Sequence, residues 1–248
     1  IGILVKRASS LWPVKADGRG GYHAGMTTPA FPSVSDTVVL SGPAGPLEVA
    51  VDLPAPDVAA QPVLCVFCHP LSIEGGSMHN KVVTMAARAL RELGITVLRP
   101  NFRSVGASAG DYDNGRGEQD DLACVVDWAR AALPGQQLWL GGFSFGAYVS
   151  LRACDRISPA ALVSIAPPVG RRDWDFEAVN PPDQWLVIMG EADEIVPPQG
   201  VFDWVAAQPL PPQLVRMPDT THFFHRKLID LRGAIQHEVR RWLPQTPV

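Results

Sequence analysis

Short apolar runs alternate with longer segments of helical periodicity along most of the chain. The runs are rich in aliphatic and β-branched residues at successive positions, which is typical of strands buried on both faces of a sheet. Such runs occupy positions 37–40, 47–53, 63–69, 95–99, 138–143, 161–165, 185–189 and 214–217. The pattern therefore predicts about eight strands.

The longer segments between the runs repeat their apolar positions every three to four residues, which predicts helices at 78–93, 118–133, 145–154, 198–207 and 227–242. Gly94 and Pro134 follow the first two, where helices commonly end. Alternating strands and helices predict an α/β fold with a mostly parallel, twisted sheet and helices on both faces. The first two runs, joined by SGPAGP, predict an antiparallel hairpin at one edge. In such sheets, chemistry lies at the carboxyl ends of the strands.

Residues 1–35 differ from the rest of the chain, because they show no sustained period and contain several glycines and prolines. We predict an N-terminal extension over 1–35 and a single α/β domain over 36–248. Met26 is the expected natural start, with the preceding residues being upstream or added sequence; a true N-terminal arm is the alternative.

The composition and net charge of the chain limit the kinds of partner that we expect it to bind. The chain has 248 residues, 46% of them hydrophobic, and a formal net charge of −4, so we expect no nucleic-acid partner and no binding to anionic membranes. No run approaches the length of a membrane span, and the four scattered cysteines do not suggest a disulfide framework. We expect a cytoplasmic protein with a small-molecule substrate, and an exposed aromatic patch would suit a homodimer.

The segment GGFSFG places Ser144 between Gly142 and Gly146, directly after an apolar run and before a helical segment. This strand–turn–helix setting is the one that a nucleophile elbow requires, and the glycines permit a strained turn and close packing. We predict that Ser144 is a nucleophile; the alternative is a serine in a Gly-rich loop.

A serine hydroxyl needs a base, and the base needs an orienting acid. In the chain order Ser, acid, His, we predict Asp193 as the acid after the run QWLVIMG, with Glu191 and Glu194 as rivals. We predict His222 as the general base, because it follows the last run directly, whereas His225 falls at the start of the terminal helix.

The oxyanion formed during attack needs fixed N–H donors. We predict the backbone amide of Phe145 as one donor and that of Leu71, in the loop PLSIEGG, as the second, with Ser72 as the alternative to Leu71. His69 and Glu74 are expected to shape this loop rather than to react.

Two further patterns do not predict metal sites. Cys65 and Cys68 are three residues apart on a strand and point to opposite faces, so zinc is not expected. The segment from Asp111 to Gly115 has its glycine one place too early for a calcium loop. No cofactor is expected, and Asp120 and Asp121 suit a helix N-terminus.

Together, GFSFG, GEADEIV and THFF make residues 37–243 resemble the α/β-hydrolase superfamily. A narrower resemblance, to a group of small lidless bacterial hydrolases, is carried by five ordered motifs: HPL at 69–71, GG at 75–76, NKVV at 80–83, NFR at 101–103 and D-x-T-H-F-F at 219–224. In that group HP usually occurs twice in tandem; here Phe67 and Cys68 occupy the first place, and residues 72–74 lengthen the loop.

Only 27 residues, 166 to 192, lie between the sixth run and the predicted acid, so a cap domain does not fit. We expect an open cleft edged by Trp174, Phe176, Phe223 and Phe224. The resemblance and the residues together predict a carboxylesterase-like serine hydrolase of short-chain acyl esters that forms an acyl-enzyme. The alternatives are a thioesterase, a dienelactone-hydrolase-like enzyme or prolyl-oligopeptidase-like peptidase, and a non-catalytic binding module.

Overall fold

A computed structural model describes residues 29–177 and 179–244. Its central sheet has eight strands, as the apolar runs predict. The strands are β1 Asp36–Gly42, β2 Gly45–Asp52, β3 Val63–Cys68, β4 Thr96–Pro100, β5 Gln137–Phe143, β6 Ala161–Ile165, β7 Gln184–Gly190 and β8 Gln213–Met217. Every predicted strand boundary agrees with these to within two residues.

The helices lie at the predicted segments, but the second begins two residues before its predicted start, and the third region extends to Ile157. They are α1 Lys81–Arg91, α2 Arg116–Ala132, α3 Phe145–Arg152, α4 Cys154–Ile157, α5 Pro198–Ala206 and α6 Leu228–Val239. The prediction starts α1 at Met78, which is wrong because Asn80 caps the helix and accepts a hydrogen bond from the Val82 N–H. The predicted third helix is divided at Ala153 into α3 and α4. The predicted last helix ends as an α-helix at Val239, and Arg240–Trp242 forms a 3₁₀ turn.

The strand order across the sheet is β1-β2-β4-β3-β5-β6-β7-β8. β1 pairs with β2 and β2 with β4 in antiparallel fashion, and all other neighbours are parallel. Helices α1 and α6 contact each other, as do α2 and α3. Right-handed crossovers place these two pairs on opposite faces of the sheet. The predicted α/β architecture is thus confirmed, and the carboxyl ends of β3, β5, β6, β7 and β8 share one edge.

The long loop after β4 and the start of α2 are held by buried charged side chains. Asp121 accepts hydrogen bonds from the side chain of Arg103, and the fully buried Glu118 accepts from the backbone N–H groups of Asp113 and Gly115. No cluster of potential metal ligands occurs among residues 29–177 and 179–244. In those same ranges, no helix is long and apolar enough to cross a membrane.

The chain before β1 runs along α2. The ring of Phe31 stacks on Trp128 with 5.2 Å between ring centres, and the Trp128 indole N–H donates to the Pro29 carbonyl at 3.0 Å. The predicted start at Met26, and most of the predicted extension, lie outside the described residues.

Candidate active site

Ser144 lies on the sharp turn between β5 and α3. Its backbone has φ 52° and ψ −118°, a conformation that is strained for a residue with a side chain. The Ser144 N–H donates to the carbonyl of Ile165 at the end of β6 at 2.8 Å, which fixes the turn to the neighbouring strand. Because the turn projects the side chain above the sheet edge, the hydroxyl lies in a cleft while the residue remains 8% exposed.

The glycines on both sides of Ser144 are required by close backbone packing. A Cβ on Gly142 would collide with the backbone of Gly146, and a Cβ on Gly146 would collide with the carbonyl of Cys68 at the end of β3. The first contact brings α3 tightly onto β5, and the second brings α3 onto the adjacent strand. These two residues therefore bring the turn and the loop after β3 next to each other.

The structure brings the side chains of Ser144, Asp193 and His222 together at this edge. His222 Nδ1 lies 2.7 Å from Asp193 Oδ2, and His222 Nε2 lies 3.1 Å from Ser144 Oγ. A ring nitrogen against a carboxylate is assigned the proton, so Nδ1–H donates to Asp193 and Nε2 accepts from the serine hydroxyl. Asp193 and His222 are 8% and 3% exposed, so little water competes for these hydrogen bonds.

Asp193 is itself held by the backbone of its own loop. Its Oδ1 atom accepts hydrogen bonds from the N–H groups of Ile195 and Val196 at 2.9 and 2.7 Å. This leaves Oδ2 directed at His222. The loop is also tied to the His222 loop, since the Ala192 N–H donates to the carbonyl of Thr220 at 3.1 Å.

The two rival acids have other partners. Glu191 accepts a hydrogen bond from Arg216 at 2.8 Å in an exposed ion pair, and Glu194 Oε2 accepts from the backbone N–H of His222 at 3.1 Å. Glu194 therefore positions the histidine main chain rather than the ring. His225, the rival base, is exposed and packs against Phe223.

One predicted oxyanion donor follows Ser144 directly in the chain, and the other lies in the loop after β3. Phe145 is the first residue of α3, and Leu71 lies in the cleft lining with Ser144. Throughout 29–177 and 179–244, the backbone N–H groups of Phe145 and Leu71 donate to no other protein group. Ser72, the alternative to Leu71, is not part of the cleft lining.

Comparison with known proteins identifies the family. The profile of the family described as alpha/beta hydrolase fold matches residues 66–186. A solved α/β serine hydrolase without a lid from Xanthomonas campestris is 69% identical, with a TM-score of 0.87, and the match covers 89% of this chain and all of that one. The chain belongs to the α/β-hydrolase superfamily.

The chain is also similar to two further proteins. An α/β serine hydrolase homologue from Coxiella burnetii is 39% identical over 84% of this hydrolase and 99% of that chain, with a TM-score of 0.79. An uncharacterized protein of Rickettsia prowazekii is 38% identical over 146 residues, which are 57% of this chain and 61% of the relative. The matched region thus spans about three fifths of that relative's own length.

The part of the chain that the structure describes forms no lid over the cleft, as the short β6–β7 connection predicts. No helix occurs between Ile165 and Gln184 in the described part of the chain. The cleft has a volume of about 530 Å³, part of it open to solvent. Its walls are formed by residues 70, 71 and 74–76 with Asn80, by residues from the loop after β6, and by the two loops that carry Asp193 and His222.

Two of the four aromatic residues predicted at the cleft edge are elsewhere. Trp174 and Phe223 line the cleft, whereas Phe176 packs between Tyr148 and Trp204 and Phe224 is fully buried against Phe143. The left-handed turn at Phe224, with φ 53°, directs it away from Phe223 and into the core. The interpretation of Phe176 and Phe224 as cleft residues is therefore wrong.

His69 has a structural environment that the sequence only partly indicates. It is fully buried; its Nε2 atom accepts a hydrogen bond from the Phe102 N–H at 3.0 Å, so Nδ1 carries the proton and donates to the Pro70 carbonyl at 2.6 Å. Burial lowers the pKa of His69 to about 4, although the bond to Pro70 acts in the opposite direction. The bond fixes the peptide plane whose N–H belongs to Leu71.

Sequence reasoning missed the polar side chains of the cleft walls. Asn80 and Arg171 both line the cleft, together with the apolar Ile195 and Val196. Arg171 lies in the loop that leaves the carboxyl end of β6, and this position is the signal that could have found it.

Proposed function

We propose that this α/β hydrolase is a carboxylesterase-like serine hydrolase that cleaves short-chain acyl esters through Ser144, His222 and Asp193. The observation that carries the proposal is the continuous hydrogen-bonded series from Asp193 through His222 to Ser144, beside two unpaired backbone amides. A serine, a base and an oriented acid in this relation are the requirements for nucleophilic acyl transfer.

In the first half-reaction, the Ser144 oxygen attacks the ester carbonyl carbon while His222 Nε2 takes the hydroxyl proton. Asp193 keeps the imidazole in the required tautomer and stabilises the positive charge that the ring then carries. The amides of Phe145 and Leu71 receive the carbonyl oxygen as it becomes an oxyanion. When the tetrahedral intermediate collapses, the C–O bond breaks and His222 returns the proton to the leaving alcohol.

In the second half-reaction, a water molecule attacks the acyl-enzyme carbonyl and gives its proton to His222. The same two amides receive the second oxyanion, and the carboxylic acid leaves as the proton returns to Ser144. Each step uses groups of this chain and water alone. The reaction is therefore complete without a cofactor.

The cleft favours a short acyl group. Its volume of about 530 Å³ includes space open to solvent, and the lidless rim gives a long chain little apolar surface to cover it. Only Ile195 and Phe223 of the large exposed apolar side chains described belong to the cleft lining. We therefore expect kcat/KM to fall as the acyl chain of a p-nitrophenyl ester is lengthened beyond a few carbons.

A fluorophosphonate probe tests the nucleophile directly. The probe should label the wild-type protein and fail to label Ser144→Ala, because it reacts with an activated serine oxygen. Ser41→Ala is the matched control, since Ser41 is an exposed serine on β1, and it should label as the wild type does. Equal labelling of the Ser144→Ala and wild-type proteins would refute the proposal.

A thioesterase is the second candidate, favoured by the open mouth of the cleft. A bulky thiol such as coenzyme A can stay outside a lidless site while its acyl group enters. Acyl-CoA substrates assayed beside p-nitrophenyl esters of the same acyl chain separate the two activities. A kcat/KM that is at least tenfold higher for the thioester would assign the protein to that class.

A further inference from the structure

Arg171 provides a positive charge in the wall of the cleft that contains Ser144 and His222. Its guanidinium carbon lies 4.9 Å from the centre of the Trp174 ring. Trp174 is in turn packed against Phe145 and Tyr148, with ring centres 5.3 and 5.6 Å away. A guanidinium on a fixed aromatic face is partly ordered in advance and keeps N–H donors free for a planar anion.

No carboxylate of the described residues forms an ion pair with Arg171, although Asp173 lies two positions away in the same loop. Other arginines of the protein have carboxylate partners: Arg99 has Asp52, Arg103 has Asp121, Arg156 has Asp120 and Arg216 has Glu191. Within 29–177 and 179–244, the guanidinium of Arg171 makes neither an ion pair nor a hydrogen bond with another side chain. Its donors are therefore available to a ligand.

The second charged side chain in the lining is Glu74, and the strand order places it on the other side of Ser144. Ser144 follows β5, which lies between β3 and β6. Glu74 belongs to the loop after β3, and Arg171 belongs to the loop after β6. The cleft thus has one charge of each sign on its two sides, and an anionic ligand is attracted to one side and repelled by the other.

We propose that Arg171 binds a carboxylate of the substrate, so that the natural substrate class is an ester that carries a free carboxylate near the scissile bond. This inference rests on the proposed hydrolase function. Pro168 and Trp174 line the same side of the cleft. They would cover the short hydrocarbon segment between the substrate carboxylate and the scissile ester. In the reverse orientation, the substrate carboxylate would lie beside Glu74, which repels it. That orientation would also separate the ester carbonyl from the amides of Leu71 and Phe145.

Two pairs of esters of nearly equal size test the proposal. Monomethyl succinate and methyl butyrate differ by a carboxylate on the acyl side, and p-acetoxybenzoate and p-tolyl acetate differ by one on the alcohol side. Hydrolysis is followed by titration of the released acid. Arg171→Gln should lower kcat/KM about tenfold for the anionic ester of at least one pair, and by less than about twofold for its neutral partner.

Three variants sharpen the result. Arg172→Gln is the matched control, because Arg172 is also exposed but is not part of the cleft lining, and it should leave both pairs unchanged. Arg171→Lys keeps the charge and should restore part of the loss, while Glu74→Gln should raise kcat/KM for the anionic ester. These opposite signs would not follow from general damage to the fold.

The proposal is overturned if Arg171→Gln changes both members of each pair by the same factor. It is also overturned if Arg172→Gln reproduces the loss for the anionic ester. Hydrolysis of the neutral esters by the wild type, and its absence in Ser144→Ala, reports separately on the hydrolase function. The subsite can therefore fail while that function stands.

Discussion

Two buried histidines at the same edge of the sheet differ in the kind of partner that each one has. His69, after β3, is bonded on both ring nitrogens to main-chain groups, the Pro70 carbonyl and the Phe102 N–H. His222, after β8, is bonded on both nitrogens to side chains, Asp193 and Ser144. The first arrangement fixes the loop and a single tautomer of the His69 ring. The second leaves a ring nitrogen of His222 facing a hydroxyl that can give up its proton.

The two rings also differ in whether a charged group is bonded to them. His69 has no counter-ion among its hydrogen-bond partners, and burial lowers its pKa to about 4. His222 is nearly as buried, and its Nδ1 atom lies 2.7 Å from the Asp193 carboxylate. The partner, rather than the depth of burial, thus distinguishes the histidine of the β3 loop from the one that lies beside the serine hydroxyl.

The strongest test of this difference removes the carboxylate. Asp193→Asn replaces an acceptor by an amide that cannot stabilise the protonated ring and that favours the other tautomer of His222. By analogy with the serine proteases, kcat should fall by about 10⁴, or about 5 kcal/mol in the activation free energy. Steady-state hydrolysis of p-nitrophenyl acetate measures this loss.

Glu194→Gln is the matched control, because Glu194 contacts the backbone of His222 and not its ring. It should change kcat by less than about threefold, since the amide oxygen can still accept from the N–H. A larger loss in Glu194→Gln than in Asp193→Asn would transfer the role of orienting acid to Glu194.

The sheet could be predicted almost completely from sequence, because strands such as β3 and β5 are apolar at successive positions and nothing else in a chain of this composition has that pattern. The end of α3 could not be predicted from the sequence. Its hydrogen bonds continue past the break at Ala153, whose N–H donates to Val149, so the sequence contains no stop signal there.

The proximity of Ser144, Asp193 and His222 was also predictable, because each follows the carboxyl end of a parallel strand and those ends share one edge. The cleft walls were not. Phe223 and Phe224 are adjacent and chemically identical, yet a left-handed turn exposes the first at 39% and buries the second. Which of the two side chains is buried depends on contacts with Phe143, which lies about eighty positions earlier. The local sequence pattern does not contain this information.

A second test measures how the free energy of unfolding depends on pH. The pKa of His69 is about 4 in the folded protein and near 6.5 in an unfolded chain, so the unfolded state takes up a proton first as the pH falls. The contribution to stability is complete above about pH 6.5 and is lost as the pH falls toward 4. Between about pH 7 and pH 5, this group should lower the free energy of unfolding by about 2 kcal/mol.

Urea unfolding of the wild type and of His69→Asn at both pH values isolates this contribution. Asparagine does not titrate in this range, so the variant should lose about 2 kcal/mol less than the wild type between the two conditions. Carboxylates such as Glu92 titrate in both proteins and cancel in the difference. If both proteins lost the same amount, His69 would not be held neutral by its environment.

The smallest expected effect concerns the hydrogen bond from His69 to the Pro70 carbonyl. In His69→Asn, the side-chain amide nitrogen can occupy the place of Nδ1 and keep that bond, whereas the longer side chain of His69→Gln places its amide near Nε2 and loses it. The Leu71 N–H would then be less well aimed at the oxyanion. We expect kcat to fall about tenfold in His69→Gln and less than about threefold in His69→Asn, below the 10²–10³ loss for removal of an entire donor.

Because the oxyanion forms only in the transition state, the loss in His69→Gln should appear in kcat with KM nearly unchanged. A purely structural role would instead lower the fraction of folded enzyme, which active-site titration with the fluorophosphonate probe would detect. If the two variants had equal kcat per labelled site, the orientation of the Pro70–Leu71 peptide would not depend on this bond. His69 would then have a packing role alone and would not contribute to the reaction through the Leu71 N–H.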